Sequence, residues 1–106
     1  MSTFEIPDPR FSARADAHIE LSNKQTREAS VDKVSLSMID ASCRFNVWLW
    51  AGTSEDVEAF KSRREQALEF LLAETRRRFD KHFDEYAENF GPYILDQRAA
   101  AEKAQS

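Results

Sequence analysis

Two histidines, His18 and His82, and one cysteine, Cys43, are the side chains of this chain best suited to bind a metal or act on a substrate. A di-iron site in a helical bundle takes Glu-x-x-His pairs projecting from facing helices. Ala15 stands three residues before His18, and Phe79 three before His82, so neither pair exists. Zinc takes four ligands, usually Cys and His at short spacings. One cysteine and two distant histidines do not supply them, and neither a metal nor a cofactor is expected. Cys43 falls on an apolar helical face and reads as a packed core thiol, where a buried sulfur is a poor nucleophile. The two histidines fall on the edges of apolar stripes and read as satisfied edge residues. Neighbouring carboxylates such as Asp84, Glu85 and Glu88 are what any exposed acidic helix face carries. No nucleophile, base and orienting group can be named together, so the expectation is that the protein is not an enzyme.

Arg76-Arg77-Arg78, with Arg63 and Arg64 earlier, forms the main basic cluster. Glu69, Glu74, Asp80 and Asp84 lie within pairing distance on the same helix, which predicts a solvated ion-pair face. The net charge of −4 and a pI near 5.2 repel phosphate backbones, so no nucleic-acid partner is expected.

Helices must position these groups. Glycine and proline are confined to Pro7, Pro9, Gly52, Gly91 and Pro92. Long helices can run between them, and the β-branched alternation and frequent turns of strands are absent. The fold class is therefore all-α, an antiparallel bundle of three main helices completed by dimerisation. Residues 1–7 are expected as an N-terminal arm, 8–95 as the helical domain and 96–106 as a flexible C-terminal tail.

The first helix should start at Asp8 as N-cap with Pro9 in the first helical position, and end near Ala29. Its buried stripe, Phe11, Ala15, Ile19, Ser22, Thr26 and Ala29, is weak because at least half of it is small or polar. A second helix, capped by Ser30 or Asp32, should run to Gly52, which can take the left-handed conformation that ends helices. It is apolar on two faces. Val34, Met38, Ala41, Phe45, Trp48 and Leu49 make one, and Leu36, Ile39, Cys43, Val47 and Trp50 the other, so it must be covered from two sides. Asn46 lies between them and is expected to be buried and hydrogen-bonded to Asn23, Ser22 or His18 of the first helix. Arg44 is expected on the polar strip, paired with Asp40. Thr53 or Ser54 should cap a third helix of more than 30 residues that ends at Gly91-Pro92, or breaks near Arg76. Its stripe includes Val57, Phe60, Leu68, Leu72, Phe79, Phe83 and Tyr86.

The segments Arg14-Ala15-Asp16-Ala17-His18-Ile19-Glu20-Leu21-Ser22-Asn23, Val34-Ser35 and Ala41-Ser42-Cys43-Arg44-Phe45-Asn46 resemble a small proteobacterial family, domain of unknown function 3144. The resemblance spans Phe11 to Ile94, and Glu69-Phe70 and Tyr86-x-x-Asn89-Phe90 are compatible with it. Cys43 stands where the family pattern has an alanine, and the segment after Ile94 is an extension. The resemblance implies a helical fold of unassigned activity and supplies no catalytic residue.

The longest apolar run, Val47 to Ala51, is far short of the roughly 20 residues of a membrane span, and the first residues lack the features of an export signal. With a lone cysteine, these features predict a cytoplasmic protein, and the resemblance implies a bacterial one. Trp48 and Trp50 point about 200° apart on a helical wheel, which three short helices cannot easily hide. The expected function is a non-enzymatic, self-associating helical interaction module: a homodimer, with room for another protein partner. The alternative is a small-ligand binder with a pocket between the first two helices. His18, Asn23, Asn46, Trp48 and Trp50 are the candidate contact residues.

Overall fold

The structure, a computed structural model, describes residues 8–105. The expected N-terminal arm, residues 1–7, lies outside them. The described chain is all-helical, with five α-helices, one π-helical turn and no strand. It divides into two compact units, one ending at Gly52 and the other beginning at Thr53.

The first unit holds α1 (Phe11–Gln25) and α2 (Val31–Gly52). Asp8 opens the turn that leads into α1. Its Oδ1 accepts the Arg10 N–H at 2.9 Å and its backbone carbonyl the Phe11 N–H at 3.1 Å, while the Arg14 guanidinium closes on the same carboxylate. The two backbone N–H groups are of the kind a helix start leaves to be satisfied, but the N-cap of α1 is Arg10, without a side-chain cap bond, and not Asp8 as expected, and Pro9 lies before the helix instead of at its first position. At the other end, bonds from Arg27, Glu28 and Ala29 back to Lys24 and Gln25 carry the chain through a turn to Ser30. The Ser30 carbonyl accepts the Val34 N–H, so α2 begins at one of the two residues named for it and ends at Gly52 as expected. Gly52 does not stop it in the left-handed conformation, because no described glycine has a positive φ. α1 packs against α2, and Val34, 6% exposed, is the one buried residue among those described.

The second unit holds α3 (Val57–Ser62), α4 (Arg64–Glu88), a π turn (Gly91–Leu95) and α5 (Asp96–Gln105). Five α-helices therefore stand where the sequence predicts three. The cap of α3 is Asp56, whose carboxylate accepts the Ala59 N–H at 2.8 Å, and not Thr53 or Ser54. Those two hydroxyls have another role: Arg63 donates to both, at 3.1 and 2.8 Å, tying the loop to the α3–α4 junction. The break sits at Arg63 itself, not near Arg76. There the backbone leaves helical geometry, with φ −94° and ψ 2°, and the Arg63 N–H bonds three residues back to Phe60.

The expected stop at Gly91-Pro92 is not one. Asn89, at φ −116° and ψ 25°, opens the end of α4. Its side-chain amide and its N–H both reach the Glu85 carbonyl. Proline lacks a donor and crowds the carbonyl four residues back, which breaks an ordinary α-helix. Here the wider π turn takes Pro92 near its start, and the Asp96 N–H bonds five residues back to Gly91. The segment expected as a tail continues as α5.

Candidate functional site

α4 presents a strip of exposed aromatic rings. Phe79 and Phe83, four residues apart and on one face of the helix, are 62% and 63% exposed, and Tyr86 follows one turn later. His82 joins them to line a shallow apolar hollow open to solvent. Beyond the end of α4, Tyr93 in the π turn meets the Tyr86 ring edge to face, with centroids 5.0 Å apart. Leu68 and Leu72 extend the same face toward the start of α4, and both are exposed. The sequence assigned these residues to a buried stripe. Their periodicity was legible, but among the described residues of the second unit they remain exposed.

Charged residues border the strip. Glu74 accepts from Arg77 at 2.6 Å and lies 3.3 Å from Arg78, and Arg76 sits 3.8 Å from Asp80. This is the ion-pair face expected from the sequence. The Arg77 hydrogen bond, more than the charge of either arginine, holds the Glu74 carboxyl below its ordinary pKa. In the first unit the Arg14 hydrogen bond likewise lowers Asp8.

α2 carries the second exposed apolar region. Phe45 and Trp48 lie with ring centroids 5.5 Å apart, 66% and 65% exposed. On the other face Leu36, Ile39 and Val47 are also exposed. The Asn46 amide does not reach α1. It is half-buried and donates to the Ser42 carbonyl of its own helix at 2.7 Å, a bond that a short amide makes locally without a tertiary partner. Asn23 is exposed, and its carbonyl accepts the Thr26 hydroxyl. His18 is exposed and Trp50 half-buried. Arg44 lies 3.9 Å from Asp40 on the polar strip, as expected. Cys43, expected in the core, is exposed, as are Leu36 and Val47 on the same face.

Among the described residues no three His, Cys, Asp or Glu side chains converge as metal ligands, and no helix is long and apolar enough to cross a membrane. A family model described as "Protein of unknown function (DUF3144)" matches residues 11–87. The NMR structure of the protein NB7890A from Shewanella sp. is similar to this chain, with a TM-score of 0.70 and 26% identity over 85% of this chain and 96% of that one. No curated protein matches.

Proposed function

From the premise that the chain belongs to the DUF3144 family, whose description assigns no activity, we propose that it is a non-enzymatic helical module that works by self-association. The observation that carries this reading is α2, apolar on two faces and exposed on both, from Leu36 and Ile39 on one to Phe45 and Trp48 on the other. Exposed apolar surface favours association by about 25 cal/mol per Å² removed from water. Contiguous patches of this kind mark interaction surfaces. A second copy of the same chain is the simplest partner, since one self-complementary patch then satisfies both molecules. The module acts in the cytosol, where reducing conditions keep the exposed Cys43 a thiol.

Sedimentation velocity across a concentration series tests the reading. A dimer or larger species at low micromolar concentration is the expected result, and a monomer at high micromolar concentration overturns it.

A further inference from the structure

We propose that α4 pairs antiparallel with α4 of a second copy, with the two-fold axis crossing beside Asp80 and Lys81. This rests on the self-association proposed above and adds to the faces of α2 a second contact on α4, with its direction and register. At 100° per residue, Leu68, Leu72, Phe79, Phe83 and Tyr86 fall within about 60° of one another, a stripe wide enough to form one side of a two-helix seam. All five are exposed. Their exposed parts amount to about 500 Å² per copy, so a pair removes about 1,000 Å² from water, the size at which an interface becomes specific.

Charge chooses the direction. Arg76-Arg77-Arg78 occupies the middle of α4, while Asp84, Glu85 and Glu88 occupy its end. A parallel pair sets like charges side by side. An antiparallel pair centred beside Asp80 and Lys81 brings the arginines of each copy to the acidic end of the other. Arg78 and Glu85 flank the same side of the stripe, two turns apart, and in this register each faces its opposite in the second copy, twice by symmetry. Arg78 keeps its own-helix contact with Glu74 at 3.3 Å, since a guanidinium has five donors and can serve two carboxylates. On the other flank Arg76 comes over the Phe83 ring of the second copy, a favourable cation–π placement. In the seam itself Phe79 meets His82.

Two measurements test this. First, Arg78→Glu and Glu85→Arg are made singly and together, with far-UV circular dichroism confirming that each variant remains helical. Each single change is expected to weaken the dimer dissociation constant about tenfold or more, and the double change to restore most of the loss. Second, spin labels are placed at Lys81→Cys or Glu88→Cys in a Cys43→Ser background, both positions facing away from the seam. In the antiparallel pair the two Glu88 labels are offset along the axis by about 20 Å more than the two Lys81 labels, at 1.5 Å of rise per residue. In a parallel pair neither set is offset. A dimer with equal label spacings, or one that the charge swaps do not weaken and restore, overturns this pairing and leaves self-association standing. A monomer at high micromolar concentration overturns both.

Discussion

Phe79 and Phe83 stack along the exposed side of α4, ring centroids 5.8 Å apart and planes 26° from parallel. A pair at this spacing stabilises an isolated helix by only a few tenths of a kcal/mol. In the proposed α4 pairing its larger contribution comes from burial against the second copy.

Phe83→Ala should leave helix content unchanged while weakening self-association at least tenfold, about 1.4 kcal/mol. Sedimentation equilibrium beside circular dichroism separates the two effects. Loss of helix at equal association would place the ring in the fold of the monomer instead.

Substitutions at Asn46 and Arg44 should cost similar amounts. The Asn46 amide serves its own helix, so Asn46→Leu leaves no other side chain unsatisfied and should cost less than about 1 kcal/mol. Arg44→Ala removes an exposed pair and should also cost less than about 1 kcal/mol. Denaturant melts of the two variants check this. A loss above about 2 kcal/mol for Asn46→Leu would reveal a partner across helices.

The α3–α4 junction depends on two side chains. Asp56→Ala removes the carboxylate that holds the Ala59 N–H and should cost about 1 kcal/mol, with faster amide exchange at Ala59. Arg63→Ala releases the Thr53 and Ser54 hydroxyls and should speed exchange in the loop as well. Unchanged protection in both variants would mean that the junction is held by its backbone.

Acid should weaken the second unit through Glu74. Its folded pKa is depressed, by the Arg77 hydrogen bond first. Such a group stabilises the folded state above its unfolded value, about 4.3 for Glu, and loses that contribution as pH falls through the lower folded value. The effect is small at an exposed site. Arg77→Ala should move the Glu74 titration upward by more than Arg78→Ala does, read by carboxyl NMR. The opposite order would make charge, not the hydrogen bond, the dominant cause.

Residue types at helix ends carried most of what was legible in the sequence. Ser30 and Gly52 bracket α2 where the sequence placed them, although Ser30 contributes its backbone carbonyl to the first turn and Gly52 keeps a negative φ. Arg63 went unseen as a break because neither proline nor glycine stands there, and its loop contacts join residues nine and ten positions apart. Gly91-Pro92 misled for the opposite reason: both are helix breakers, and the π turn that tolerates them has no signature in composition. The two apolar faces of α2 were legible, whereas the positions of Cys43 and Asn46 were not. Periodicity reports which side of a helix is apolar, but not whether anything lies against it.

The π turn also sets the direction of everything that follows it. A π turn is an α-helix with one residue inserted, so the helix beyond it is rotated by about 100° from where an unbroken helix would carry it. Gly91–Leu95 thus sets the bearing at which α5 presents its side chains. Removing a residue there would swing every side chain of α5 to a new bearing while leaving α4, with its aromatic strip, where it is.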